Sequence, residues 1–307
     1  MSCYLDPKAD ITFKRVFAQR KDLCISLLNA LLPLAPDAQI VSIEYLPSEV
    51  LPFYDGGKNT VADIRCTDQH DRQFIVEMQM AWTSAFMQRI VFSASRAYVN
   101  QLKAGDDYPD LKPVYLLTLL NTTYLSDTPD AFHDYQICEN GTNHVIEGVR
   151  WAVVELPKFR PSTSAQKRYF TFWLRYFTEI TDKIETVPAD LLEIPEIRDA
   201  IESLEIGAYS PAERATYENY WDNVRYERTL MRGKFTEGKI EGIAEGEAKG
   251  KIEGEAKGIT ETNRRNALAM KNKGYPLPDI AEITGLPLSE IEKLAQNPSE
   301  QKSELPH

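Results

Sequence analysis

Residues 61–80 read VADIRCTDQHDRQFIVEMQM, and this stretch decides the fold. Two apolar runs flank the polar residues 67–72, a pattern that predicts a β-hairpin. Each predicted strand carries one carboxylate among apolar side chains, Asp63 on the first strand and Glu77 on the second. Gln79 follows two residues after Glu77. The sequence therefore gathers three oxygen-bearing side chains on a single hairpin.

Strand alternation predicts where these side chains point. Residues two apart in a strand share a face, so Ile75, Glu77 and Gln79 point together. The opposite face carries Phe74, Val76, Met78 and Met80. Because the apolar face meets the core, Glu77 and Gln79 are expected to face a cleft. The hairpin turn brings Asp63 within cross-strand reach of Glu77.

Two carboxylates that approach one another repel unless one stays protonated or a cation lies between them. Oxygen-only ligands suit Mg²⁺, which is commonly bound through one or two carboxylates and keeps several waters. Such an ion lowers the pKa of a bound water and polarises a phosphoryl oxygen. The hairpin pattern alone leaves two interpretations open for Asp63 and Glu77: a metal site, or acids on a solvated sheet face.

The elements around the hairpin predict an α/β fold with a mixed sheet. The run 113–120 is almost wholly apolar, which is typical of a central strand buried on both faces. Asp10 is an N-cap candidate for the first helix. The other predicted elements are helices over 10–32, 84–103 and most of 165–206, and strands over 40–46, 50–54, 60–66, 73–80 and 146–156.

Composition and charge exclude several classes of protein. The 307 residues carry a formal net charge of -11, which is unlike a globally basic nucleic-acid binder, so any contact with DNA must use a local basic patch. The cysteines Cys3, Cys24, Cys66 and Cys138 lie far apart in the sequence. Their spacing predicts reduced thiols, with neither a disulfide framework nor a zinc site. With no signal peptide and no apolar run long enough to span a membrane, the sequence predicts a soluble, cytoplasmic protein.

The composition changes abruptly near Arg232. Beyond it a glycine recurs at every fourth residue, at Gly238, Gly242, Gly246, Gly250, Gly254 and Gly258. Each glycine costs a helix roughly 1 kcal/mol, so a lone helix here is marginal. Two interpretations remain open: a linker or self-association helix in which the glycines permit close approach, or a flexible charged tether. We expect three domains, over 1–232, 233–262 and 263–307.

The last segment, 266–294, regains an apolar pattern. Ala281, Gly285 and Ile291 fall at the spacing of a helix-turn-helix, in which glycine makes the turn. The second helix carries Glu290 and Glu292, which form a poor surface for phosphates or guanine edges. A small helical tail without base readout is the alternative interpretation.

The order of these features resembles the PD-(D/E)XK nuclease superfamily and, within it, the recombination-promoting nuclease (Rpn) and transposase family. In the superfamily pattern an acid on one strand is followed by (D/E)-x-K on the next. The matching pieces are Asp10-x2-Phe13-Lys14-x2-Phe17, Ala62-Asp63-Ile64, Val76-Glu77-Met78-Gln79, Phe86-x2-Arg89 with Tyr98, Tyr108-x2-Leu111-x-Pro113-Val114, and the Gly-x3-Gly tail with its terminal helices. The resemblance covers nearly the whole chain.

This resemblance implies a restriction-endonuclease-like α/β core with a mixed central sheet flanked by helices, plus a helical C-terminal tail. It further implies a DNA endonuclease of low sequence specificity that uses Mg²⁺, with Mn²⁺ or Ca²⁺ as alternatives, and promotes recombination or mobile-element transfer. Asp63 and Glu77 would hold the metal, with the main-chain carbonyl of Met78 as a further oxygen ligand.

Gln79 departs from the pattern, because it occupies the position of the superfamily lysine. A lysine supplies positive charge near the attacking water and the phosphate, whereas glutamine supplies only hydrogen bonds. Another cation would have to substitute, and the candidates for binding a phosphate are Lys14, Arg89 and Arg96. Asp10 and Tyr98 are accessory candidates, Asp10 as either the helix N-cap or an acid that completes the site.

Two further functions compete with nuclease activity. The missing lysine and the acidic balance favour a catalytically weak, DNA-associated regulatory protein that forms homo-oligomers through its Gly-x3-Gly tail. A transposase that joins strands rather than hydrolysing them is the third function, suggested by the label of the family.

Overall fold

The computed structural model describes residues 4–50, 60–81, 84–161 and 168–294. The chain divides into two compact units, residues 1–228 and 229–307. The strands are β1 (Ile43–Tyr45), β2 (Glu49–Val50), β3 (Thr60–Val61), β4 (Ile64–Asp68), β5 (Gln73–Gln79), β6 (Val114–Leu120), β7 (Phe132–Cys138) and β8 (Val145–Glu155). The helices are α1 (Asp10–Phe17), α2 (Lys21–Leu31), α3 (Ser84–Val99), α4 (Arg168–Glu179), α5 (Pro195–Glu202), α6 (Pro211–Asn272), α7 (Leu277–Thr284) and α8 (Leu288–Lys293).

A mixed six-stranded sheet forms the centre of the first unit, in the order β1-β4-β5-β6-β8-β7. β4 and β5 are antiparallel, β5, β6 and β8 run parallel, and β7 returns antiparallel along β8. β6 lies between two parallel partners, which explains why its sequence is apolar on both faces. The predicted mixed α/β sheet and its buried central strand are therefore confirmed.

The β4–β5 hairpin is closed by a buried ion pair. The Asp68 carboxylate accepts hydrogen bonds from the backbone N–H groups of His70 and Arg72, both at 3.0 Å, and from Arg72 Nε at 2.7 Å. Asp71 takes a positive φ of 60° at the turn, which aspartate tolerates better than most residues. These contacts fix the register, in which Ile64 pairs with Val76. The register decides which side chains meet farther along the hairpin.

β5 contacts a different layer on each face. Phe74, Val76 and Met78 belong to the larger hydrophobic cluster, together with residues of α1, α2, α4 and α5. Ile75 belongs to a second cluster with Phe86 of α3. Helices therefore cover both faces of the sheet, and Glu77 and Gln79, which share a face with Ile75, lie on the α3 side.

Three features near the sheet differ from the sequence-based prediction. The strand expected over 60–66 is broken, since β3 ends at Val61 and β4 begins at Ile64, so Asp63 lies between two strands rather than on one. The single helix expected over 10–32 is wrong: α1 ends at Phe17 and α2 begins at Lys21. Between them Arg20 adopts an extended conformation, and its guanidinium binds both Asp22 and Asp199. Strand β7 was not predicted, because its sequence FHDYQIC is polar and largely exposed at the sheet edge. Most of the strand expected over 50–54 lies outside the described residues.

The second unit contains the glycine repeat and the terminal helices. α6 contributes residues 211–228 to the first unit and 229–272 to the second, and it continues through all six repeat glycines with exposed side chains around them. Near its end a small core holds Ala267, Ile280, Leu286 and Ile291. Gly285 makes the turn between α7 and α8 with a φ of +69°, a conformation that favours glycine. No helix in the described part of the chain is long and apolar enough to cross a membrane.

Candidate metal and phosphate site

The first acid, Asp63, lies one residue before β4 begins. The preceding chain pairs elsewhere, because Val61 pairs with Glu49 and the Ala62 N–H donates to the Ser48 carbonyl at 3.0 Å. This departure from the ladder frees Asp63, whose Oδ2 accepts a hydrogen bond from the Met78 N–H at 2.7 Å. This bond pairs the Met78 N–H, which has no backbone acceptor on the neighbouring strand because the chain before Asp63 turns away. It also holds the Asp63 carboxylate at the end of β5.

The second acid, Glu77, is buried, with a side chain only 7% exposed. Continuing the register beyond Ile64–Val76 places it opposite Asp63. No hydrogen bond or ion pair to its carboxylate occurs among the described residues. Burial, and then repulsion by Asp63, raises the pKa of Glu77 to about 8. Burial likewise raises the pKa of Asp63 to about 6, although its bond from Met78 opposes the shift. The pair therefore favours a neutralising proton or cation.

Asp10 and Lys14 lie beside this pair on α1. Ala9 precedes the helix as its cap and Asp10 is the first helical residue, so the N-cap interpretation of Asp10 is wrong. Instead its carboxylate binds Lys14 Nζ at 2.7 Å. Burial alone would lower the pKa of Lys14, but this bond to Asp10 and the nearby charges of Asp63 and Glu77 raise it. Lys14 is thus a charged group close to both acids, although its direct ion pair is with Asp10.

Gln79 and Arg89 contact each other at the end of β5. Arg89 Nη2 donates to Gln79 Oε1 at 3.1 Å, and its guanidinium lies 5.2 Å from the ring centroid of Phe86. The positive charge of Arg89 lowers the pKa values of both Asp63 and Glu77, in each case against the larger effect of burial. The arginine therefore brings a cation to the place where the superfamily pattern has its lysine.

The other two candidates lie farther along α3. The Arg96 guanidinium is 5.2 Å from the centroid of the Phe92 ring, and the side chain is buried. Tyr98 packs in the α3-side cluster near Gly148 of β8. Neither residue is among the described residues that line the cleft next to Asp63. Lys14 and Arg89 do not line it either, but their charges act on both Asp63 and Glu77, which brings these two cations close to the acids.

A cleft of about 370 Å³ opens beside the pair. The described residues that line it are Asp10, Asp63, Met78, Gln79, Met80, Ala81, Tyr220, Asn223, Val224 and Glu227. The last four belong to α6 and were missed in the sequence. Their i, i+3, i+4, i+7 spacing marks one helix face, but nothing local indicates that this face meets the hairpin.

The donor set fits one hard divalent cation. Asp63 and Glu77 supply two carboxylates, and Glu77 has an unpartnered, buried carboxylate on the described part of the chain. The N–H and C=O of a strand residue point to the same side, so the Met78 carbonyl points toward Asp63 as its N–H does. No group of three or more His, Cys, Asp or Glu suited to a metal occurs among residues 4–50, 60–81, 84–161 and 168–294. Water would therefore complete the shell, as is usual for Mg²⁺.

Comparison with known protein families identifies a match for most of the chain. A family model described as PD-(D/E)XK nuclease family transposase matches residues 7–229, which include the whole sheet and every residue described above for the site. No curated protein and no solved structure matches the chain. The restriction-endonuclease-like fold class expected from the sequence is confirmed by this match together with the mixed sheet and its flanking helices. The chain belongs to the PD-(D/E)XK nuclease family transposases.

Proposed function

We propose that the protein is a divalent-metal-dependent DNA endonuclease that hydrolyses phosphodiester bonds with little sequence preference. The observation that carries the proposal is the Asp63–Glu77 pair, in which the half-buried Asp63 lies opposite a buried Glu77 carboxylate that has no partner among the described residues, and both pKa values are raised. Asp63 lines a cleft within the part of the chain that matches a nuclease family, and Glu77 lies beside it. Members of this superfamily generally use divalent metals, which suits the pair.

Asp63 and Glu77 would hold Mg²⁺, with the Met78 carbonyl as a third oxygen; Mn²⁺ and Ca²⁺ are alternatives with the same preference for oxygen. A bound divalent cation supplies charge neutralisation, activation of a water and polarisation of a phosphoryl oxygen. Asp63 is held in place by its bond from Met78. Glu77, which has no other partner among the described residues, is free to direct its carboxylate to the cation.

Arg89 and Gln79 would bind the phosphate together. Gln79 Oε1 accepts from Arg89, so the Gln79 amide nitrogen has its two donors available for a water or a phosphate oxygen. The remaining N–H groups of Arg89 can donate to the same phosphate. Lys14 adds a second positive charge near the acids. This arrangement would replace the superfamily lysine with an arginine that acts beside a glutamine.

The test is a plasmid-nicking assay with Mg²⁺, Mn²⁺ or Ca²⁺. Asp63→Asn and Glu77→Gln should abolish nicking, because each removes a ligand charge while keeping the side-chain shape. Asp127→Asn, an exposed acid in the loop between β6 and β7, is the matched control and should nick like the wild type. Equal nicking by Asp63→Asn and the control, or no nicking by the wild type with any of the metals, would refute the proposal.

A second function is favoured by the exposed glycine repeat of α6. A helical segment that buries no side chain of its own is suited to association with another copy, and such an assembly could regulate DNA transactions without cutting. DNA binding without cleavage, in an oligomer that is lost when the chain ends at Arg232, would support this function. Joining of DNA strands rather than hydrolysis would instead indicate a transposase. Hydrolytic nicking would distinguish a nuclease from both the regulatory protein and the transposase. A role in recombination or mobile-element transfer follows only if nicking is found.

A further inference from the structure

One face of α6 forms the outer wall of the cleft. Tyr220, Asn223, Val224 and Glu227 line it, and these four residues are called the α6 wall below. Their spacing of three and four residues places them in a single stripe along the helix. All four belong to the first compact unit, as the hairpin does.

The α6 wall is fixed to the chain that precedes α1. The hydroxyl of Tyr217 accepts a hydrogen bond from the Asp6 N–H at 2.9 Å, and the Tyr220 hydroxyl donates to the Lys8 carbonyl at 3.3 Å. Tyr217 is buried in a small cluster with Leu5 and other residues of this region. These bonds fix α6 at Tyr217 and Tyr220, and Glu227 follows Tyr220 by about two helical turns on the same face, where it lines the cleft.

The described lining of the cleft carries three acids, Asp10, Asp63 and Glu227, and neither lysine nor arginine. Asp10 is paired with Lys14, and Asp63 would be neutralised by a bound cation. Glu227 is exposed and has no ion pair among the described residues. Its charge therefore remains without a counter-charge on the described lining of the cleft next to Asp63.

We propose that Glu227 restrains the site: its carboxylate repels the DNA backbone at the cleft and so limits both DNA binding and the rate of cleavage. This inference rests on the proposed function, since it takes DNA as the substrate. It assigns to Glu227 of the α6 wall a role in limiting DNA affinity that is separate from metal binding. Neutralising Glu227 should make the protein a tighter DNA binder rather than an inactive one.

The test compares Glu227→Gln and Glu227→Lys with Glu218→Gln. Glu218 is exposed, lies on the same helix and points about 180° away from Glu227 around the helix axis, so its Gln variant changes the net charge equally without altering the cleft. Binding of a fluorescein-labelled DNA duplex is measured by anisotropy in EDTA, which removes cleavage from the readout. Plasmid nicking with Mg²⁺ is measured in parallel.

Glu227→Gln should tighten DNA binding by roughly two- to fivefold, the range expected for an exposed charge contact, and Glu227→Lys by more. The gain should shrink between about 0.01 M and 0.1 M salt, because the Debye length falls from about 30 Å to about 10 Å. Nicking at limiting DNA should rise by a similar factor. Glu218→Gln should match the wild type in both measurements.

Three results would overturn the inference. The first is that Glu227→Gln binds DNA no more tightly than Glu218→Gln does. The second is that Glu227→Gln nicks more slowly while its DNA binding is unchanged. The third is that none of the variants binds DNA, even at low salt. Tighter binding by Glu227→Gln with no nicking by any variant would support the inference while refuting the nuclease proposal. Nicking by the wild type with no effect of Glu227 would do the reverse.

Discussion

The metal-free protein should lose stability as the pH rises, because the Glu77 carboxyl is buried without a partner among the described residues. Its pKa is about 8, against an ordinary value of 4.5. A carboxyl with a raised pKa keeps its proton in the folded protein at pH values where the unfolded chain has already released it. The free energy of unfolding therefore falls as the pH rises from about 4.5 to about 8.

The size of the effect follows from the shift. At about 1.4 kcal/mol per pKa unit, a change from 4.5 to about 8 corresponds to a loss on the order of 5 kcal/mol. Glu77→Gln keeps the shape of the protonated carboxyl and cannot ionise. The variant should therefore match the wild type near pH 4 and exceed its stability by several kcal/mol at pH 9.

Glu155 provides a matched control, because its pKa is shifted in the opposite direction to that of Glu77. It is fully buried on β8, and it accepts hydrogen bonds from the Tyr124 N–H at 2.6 Å, His133 Nε2 at 2.7 Å and Lys158 Nζ at 2.8 Å. Burial alone would raise its pKa, but these donors lower it. Glu155→Gln should destabilise the protein by about 3–5 kcal/mol at pH 8, since it leaves Lys158 without its ion-pair partner.

Urea titrations in EDTA at pH 5, 7 and 9 measure these differences. The four tryptophans, Trp82, Trp151, Trp173 and Trp221, all precede residue 229, so their fluorescence reports the unfolding of the first unit. Added Mg²⁺ should stabilise the wild type most at pH 9 and leave Glu77→Gln almost unchanged. Stability of the wild type that is flat or rises with pH, or destabilisation of Glu77→Gln at pH 9 as large as that of Glu155→Gln, would refute the reasoning.

Three further predictions concern charge and backbone. Arg89→Ala should slow Mg²⁺-dependent nicking roughly a hundredfold. Gln79→Lys should raise the initial nicking rate more in the Arg89→Ala variant than in the wild type, because the new lysine then has no guanidinium beside it. An equal change in rate in the two backgrounds would contradict this. Gly246→Ala and Gly250→Ala should each stabilise α6 by about 1 kcal/mol, since an added Cβ meets nothing within 4 Å. Slower amide exchange over 240–256 would show this stabilisation, and faster exchange would contradict it. Gly285→Ala should destabilise α7 and α8 by about 1 kcal/mol or more, because Gly285 has a φ of +69° that alanine adopts only under strain. Amide exchange in both helices should become faster, and unchanged exchange would contradict the prediction.

Local sequence patterns predicted the parts of the fold that depend on near neighbours. The apolar run of β6 identified the central strand, and the alternation of β5 indicated which side chains share the face of Glu77. The contact between Gln79 and Arg89 spans only ten residues, so both could be named as candidates for one site. Periodicity and short spacing carry this kind of information because they act within a single element or hairpin.

Contacts between distant residues were beyond such patterns. The break between α1 and α2 involves Arg20 and Asp199, which are 179 residues apart. The bond that fixes the α6 wall joins Tyr217 to Asp6 across 211 residues. No local signal distinguishes these side chains from ordinary surface residues, since their roles arise only when the sheet and its helices pack. The outer half of the cleft was therefore missed, although its inner half was located.

The late position of the α6 wall in the sequence has a consequence for biosynthesis. A chain is made from its N-terminus at about 5–20 residues per second. Asp63, Glu77 and Arg89 are made close together, whereas Glu227 follows Arg89 by about 140 residues, or roughly 7–30 s. A nascent chain on the ribosome that has already paired β5, β6 and β8 thus carries both acids and the arginine beside a cleft that has no outer wall.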